Sequence, residues 1–138
     1  MKPHEPRSLL EQAGLRITEP RLRLVSLLRL ETRPRPATYL AKKLKNAVDA
    51  VTVYRALESL LKAGLVARTD FHHGHSEYEL VADRPHHHHL VCTACGLVED
   101  VTSCNERILE RSALAHSKHF TAVRAHALEF FGRCTQCS

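Results

Sequence analysis

The chain of 138 residues contains no tryptophan and a single methionine, although its apolar fraction of 43% is ordinary for a soluble protein. No apolar run approaches the roughly 18 residues that a membrane helix needs, and no membrane partner is expected. The stretch Met1–Arg7 carries proline, histidine and charge, and no export-type apolar segment follows it. A cytosolic location is therefore expected. There is no internal repeat, and the only low-complexity stretch is a run of four histidines. The H-x-E…C-x2-C signature of a zinc deaminase is also missing.

What is present is unevenly divided. Residues 1–70 hold 14 Lys/Arg and 7 Asp/Glu, a balance of +7. Residues 71–138 hold 6 and 8, a balance of −2, together with ten of the eleven histidines. A basic half can be no more than a solvated surface. Joined to a His- and Cys-rich half, it suggests contact with a polyanion in one part and metal in the other.

The basic half reads as short helices followed by a hairpin. A short helix is expected over Ser8–Gly14. Thr18 suits an N-cap, with Glu19 and Pro20 in the first turn and Leu24, Val25 and Leu28 as an apolar stripe. Arg33–Pro36 reads as a breaker cluster. A helix follows over Ala37–Lys45. Asp49 caps another that runs to Ala63, stopped by Gly64. In that last helix Val53, Leu57, Leu60 and Leu61 face inward, while Tyr54, Arg55, Glu58 and Lys62 point out. Extended runs at Leu65–Phe71 and Glu77–Val81 flank a turn at His73-Gly74. Three helices and a hairpin make a winged helix-turn-helix.

The expected fold class is α+β, with a DNA-binding winged helix over 1–81, a hinge at 82–85 and a small α/β unit over 86–138. In the second unit we expect an extended run through Leu90–Val101, a helix over Ser103–Ser117 and a strand over Phe120–Phe131.

Cys92-Thr-Ala-Cys95 and Cys134-Thr-Gln-Cys137 are two C-x2-C knuckles. Two residues between cysteines let one tight turn bring both sulfurs to one ion, so four thiolates would enclose a structural Zn²⁺. A thioredoxin-like dithiol uses one such pair, and paired disulfides are rare in the cytosol. Four sulfurs leave no open position, which argues against an enzyme. Cys104 is left over and reads as a small buried hydrophobe rather than a sensor.

His86-His87-His88-His89 lies just ahead of Cys92. In an extended segment alternate side chains point to opposite faces, so His86 and His88 face one way and His87 and His89 the other. Further ligands could come from Glu79, Asp100 or His126. Mixed nitrogen and oxygen donors suit an exchangeable divalent cation: Zn²⁺, Fe²⁺, Mn²⁺ or Ni²⁺.

The segments Gly14-Leu-Arg-Ile-Thr18, Val51-Thr-Val-Tyr-Arg55, Ala63-Gly-Leu-Val66, Tyr78-Glu-Leu80, His86–Cys92-x2-Cys95-Gly96 and Phe131-Gly-Arg-Cys134-x2-Cys137 together resemble the Fur superfamily of ferric, zinc, nickel and peroxide uptake regulators. That resemblance implies a metal-dependent repressor, binding an A·T-rich palindromic operator as a homodimer. Tyr54 and Arg55 match recognition-helix residues in the major groove, and Arg16 a basic residue that enters an A·T-rich minor groove. Cys92, Cys95, Cys134 and Cys137 match the structural zinc ligands. Glu79, His87, His89 and Asp100 match a regulatory metal site, and His86, His88 and His126 a second site in the dimerisation unit.

The chain departs from the family pattern at three points. Pro34 stands where a histidine ligand is common, leaving Asp100, His72, His73 or His75 to complete the regulatory set. Position 107 is an arginine, so the helix glutamate of the second site is Glu106 or Glu110. A long His/Cys-rich tail is missing. A peroxide-sensing regulator and a zinc-ribbon interaction module remain as alternatives.

Overall fold

Thr18 and Asp49 show how local chemistry starts the helices of the first unit. Each adopts an extended backbone conformation, and its side chain accepts from a backbone N–H three residues on: Arg21 at 3.4 Å and Thr52 at 2.8 Å. The Thr52 hydroxyl adds a second bond to Asp49 at 3.0 Å. These bonds satisfy N–H groups that a helix start leaves orphaned. Both hold the Asp49 carboxyl below its ordinary value, the backbone bond contributing most.

The computed structural model describes residues 5–70, 75–82, 86–102 and 104–138. The chain divides into two compact units, Met1–Arg84 and Pro85–Ser138. The turn expected at His73-Gly74, the candidate ligands His72 and His73, residue Ser103 and all of the expected hinge but Ala82 lie outside the described residues.

The first unit runs α1 (Pro6–Gln12), α2 (Glu19–Leu30), β1 (Arg35–Pro36), α3 (Ala37–Leu44), α4 (Ala50–Lys62), β2 (Val66–Asp70) and β3 (Ser76–Leu80). Its core is aliphatic: Leu9 and Leu10, Leu24, Val25 and Leu28, Leu40, then Val53, Leu57 and Leu60, all buried. Leu61, expected in the stripe of α4, is half-buried, and Ala56 takes an inward position instead. Gly64 ends the helix with φ +79°, a conformation that glycine adopts without strain.

β2 and β3 pair antiparallel with Ala67 opposite Glu79, and β1 adds to the far side of β3, giving the order β1-β3-β2. The segment Arg33–Pro36 is thus more than a breaker. Arg35 and Pro36 pair with Tyr78 and Glu77, and Pro36 is tolerated because β1 is an edge strand.

The second unit runs β4 (His88–Cys92), β5 (Val98–Val101), α5 (Glu106–Ala115) and β6 (Glu129–Gly132), with sheet order β5-β4-β6. β4 is antiparallel to β5 and parallel to β6. The extended run expected over Leu90–Val101 is broken by the turn at Cys92–Gly96, where the Gly96 N–H donates to the Cys92 carbonyl at 2.9 Å. α5 begins later than expected, capped by the Asn105 side chain, which accepts from the Ile108 N–H at 3.2 Å. The strand expected over Phe120–Phe131 is confined to its last residues. β4 offers only His89–Cys92 as partners, and residues 120–128 have no ladder to join.

No helix among the described residues is long and apolar enough to cross a membrane.

Candidate metal centres and nucleic-acid interface

The parallel pairing of β4 with β6 sets Cys92 opposite Gly132 and brings the two cysteine knuckles together. Thr93 N–H donates to the Gly132 carbonyl at 2.8 Å, holding the turns side by side. The four sulfurs of Cys92, Cys95, Cys134 and Cys137 lie within 4.8 Å of one another. Cys95 Sγ and Cys134 Sγ are 3.7 Å apart. Zinc–sulfur bonds of about 2.3 Å give a tetrahedral edge of about 3.8 Å, so the donors fit a zinc ion in number, type and spacing.

The electrostatics agree with that fit. Backbone N–H groups of Cys134 and Cys95 hold the Cys92 thiol down at about 6. Cys137 is pushed up to about 12, chiefly by hydrogen bonding with the Cys134 and Cys95 sulfurs. Four crowded sulfurs cannot all ionise without a cation, and a divalent ion supplies that charge.

The chain leading into β4 divides the histidine run as alternation requires. His86 and His88 are on one face with ring centroids 4.6 Å apart, and His87 and His89 on the other at 5.0 Å. On the first face, Nε2 of His88 lies 3.0 Å from Nε2 of His86 and 3.1 Å from Nε2 of His126. Burial, and then the neighbouring His86, hold the His88 imidazole below its ordinary value, which favours the neutral form that binds metal. Cys104 joins this cluster, its Sγ 3.7 Å from His126 Nε2. Cys104 is half-buried rather than fully enclosed. His126 itself lies outside any strand. Glu106 is 3.0 Å from Nδ1 of His86, and Glu110 is 4.0 Å from Nδ1 of His126.

On the opposite face, strand register sets carboxylates on both sides of His89. Asp100 pairs with it across β5, its carboxylate 3.8 Å from Nε2. Glu129 pairs with it across β6 and accepts from the His89 backbone N–H at 3.1 Å, with its carboxylate 2.9 Å from Nδ1. Sequence reading missed Glu129. Only the parallel register of β4 with β6 brings it there, and the sequence holds no signal of that pairing. Glu79 stands on β3 of the first unit. His75, also in that unit, is exposed and 3.6 Å from Glu77, as suits a turn residue. Pro34 is fully buried one residue before β1.

Tyr54, Arg55 and Arg16 all reach the surface of the first unit, the first two on α4 and Arg16 in the loop before α2. Arg21 braces these elements. It donates to the Arg16 carbonyl at 2.7 Å and through Nε to Ser59 Oγ on α4 at 3.2 Å. Arg16, Arg21, Thr52 and Arg55 border one concave surface. Its basic rim is the kind of footprint that attracts a phosphate backbone.

Residues 12–131 match the model of the Ferric uptake regulator family. The chain belongs to that family. Its role is that of a metal-responsive transcriptional regulator.

Among relatives of this ferric uptake regulator family, a Ferric uptake regulation protein of Legionella pneumophila is 40% identical over 135 residues, spanning 93% of this chain and 95% of its own. That of Escherichia coli K12 is 33% identical over 131 residues, spanning 92% and 86%. The Vibrio cholerae ferric uptake regulator, known for rearrangement of its DNA-binding domains, superposes with a TM-score of 0.70 at 34% identity, over 93% of this chain and 98% of that one. The Pseudomonas aeruginosa regulator, solved with manganese, gives 0.72 at 30% identity over 96% and 99%. These relatives favour neither the peroxide-sensing nor the zinc-ribbon alternative.

Proposed function

We propose that this chain is a cytoplasmic repressor of metal-uptake genes that grips an A·T-rich palindromic operator as a homodimer when an exchangeable divalent cation is bound. The observation that carries this reading is the division of His86–His89 into two faces beside a separate four-sulfur knot. A closed thiolate site holds its zinc for structure, whereas imidazole and carboxylate donors bind more weakly and can exchange.

In this reading Cys92, Cys95, Cys134 and Cys137 hold structural zinc, and the cluster of His86, His88 and His126 holds a second ion. The regulatory cation takes Glu79, His87, His89 and Asp100. Glu79 belongs to the first unit and the other three to the second. Binding the cation would therefore restrict how two recognition helices are presented to half-sites about one helical turn apart. Tyr54 and Arg55 would read base edges and Arg16 would enter the minor groove. Metal affinity and operator affinity are then reciprocally coupled.

The test is an operator titration with His87→Ala and His89→Ala protein at controlled free metal. The reading predicts that the metal dependence of binding disappears. Binding that still responds to metal as in the wild type would remove the switch from these residues.

A further inference from the structure

The cluster of His86, His88 and His126 contains a donor that the resemblance does not supply. Ligand atoms of these three histidines and of Cys104 all lie within 4.8 Å of one another. The three Nε2 atoms follow one another at 3.0 and 3.1 Å, and Cys104 Sγ is 3.7 Å from the last. A tetrahedral ion with metal–nitrogen bonds of about 2.0–2.1 Å and a metal–sulfur bond of about 2.3 Å has edges of about 3.3 and 3.6 Å. The four atoms are spaced for such an ion.

The two glutamates lie elsewhere. Glu106 approaches His86 at Nδ1, at 3.0 Å, and Glu110 approaches His126 at Nδ1, at 4.0 Å. Both are thus on the side of the ring away from the Nε2 atoms that converge. An imidazole that binds metal through Nε2 commonly donates its Nδ1–H to a carboxylate, which fixes the tautomer and the ring's orientation.

We propose that Cys104, rather than Glu106 or Glu110, is the fourth ligand of this second site, and that Glu106 is a positioning residue for His86. The inference deepens the reading of the cluster as a metal site and rests on it. Three imidazoles and one thiolate form a closed tetrahedral set that suits Zn²⁺ or Co²⁺ over Mn²⁺, whose preference is for oxygen donors. On binding, the Cys104 thiol gives up its proton to solvent and no electron changes hands.

The experiment is a Co²⁺ titration of protein that keeps zinc in its four-cysteine knot. Thiolate ligation produces a sulfur-to-cobalt charge-transfer band in the near ultraviolet that nitrogen and oxygen ligands do not give. Wild-type protein is expected to show the band. Cys104→Ser and His126→Ala should lose it and bind cobalt more than about 100-fold more weakly. Glu106→Gln should keep it with affinity reduced roughly 10- to 100-fold, as loss of an outer hydrogen-bond partner does. Zinc content and thermal melting, measured before titration, establish that each variant is folded. In the wild type, cobalt should also protect Cys104 from alkylation by iodoacetamide, read by mass spectrometry. Cobalt that needs His126 yet gives neither band nor protection overturns Cys104 as a ligand and leaves the metal reading standing. No cobalt held by His126 at all overturns both.

Discussion

Cys134 contributes a sulfur 3.7 Å from Cys95 Sγ, and its backbone N–H donates to Cys92 Sγ at 3.4 Å. Cys134→Ser should therefore abolish stoichiometric zinc and unfold the second unit, as metal analysis and thermal melting would show. Structural zinc contributes ~10 kcal/mol or more, as much as the whole stability of many domains. Across the first unit, Arg55→Ala should weaken operator binding by about 1–3 kcal/mol if its contact is to a base edge. Arg16→Ala should lower the salt dependence of binding by about one unit of slope, as loss of a phosphate-groove cation does. Gel shifts over a salt series read both. The gathering of the four knuckle cysteines and the outward Tyr54 and Arg55 were legible in the sequence because spacing and helical period are local signals. Cys104 and Glu129 were not, because strand register and the path of residues 104–126 bring them to the histidines. Local spacing carries no trace of either.

Among elements, α2 depends on the bond from its first turn to Thr18. Thr18→Ala should cost about 1 kcal/mol, read as a lower urea midpoint with an unchanged slope. Helices were readable from caps and apolar stripes: Thr18 before α2, Asp49 and Gly64 around α4. Strands were less so. β1 exists only because β3 pairs with Arg35 and Pro36 from more than forty residues away. The long strand expected up to Phe131 shrinks to Glu129–Gly132 because a strand extends only as far as its partner. Apolar residues alone do not make a ladder.

In the molecule as a whole the two units differ in how they hold together. The first closes around a continuous aliphatic core. Among the described residues of the second, the buried apolar side chains are Val91 and Cys92, while Ile108 is 63% exposed and Leu97, Leu109, Phe130 and Phe131 are 40–45% exposed. α5 buries none of its residues within the chain. Such a surface fits a partner copy better than water. Ile108→Glu should shift the protein toward monomer in sedimentation experiments and weaken operator binding with it. The account turns on a cation that is exchangeable and separate from the four-sulfur zinc. Operator affinity measured on protein stripped of every ion but that zinc, and again after metal is restored, tests it most directly. The account predicts weak binding that recovers at least tenfold when metal returns; equal, tight binding in both states would contradict it.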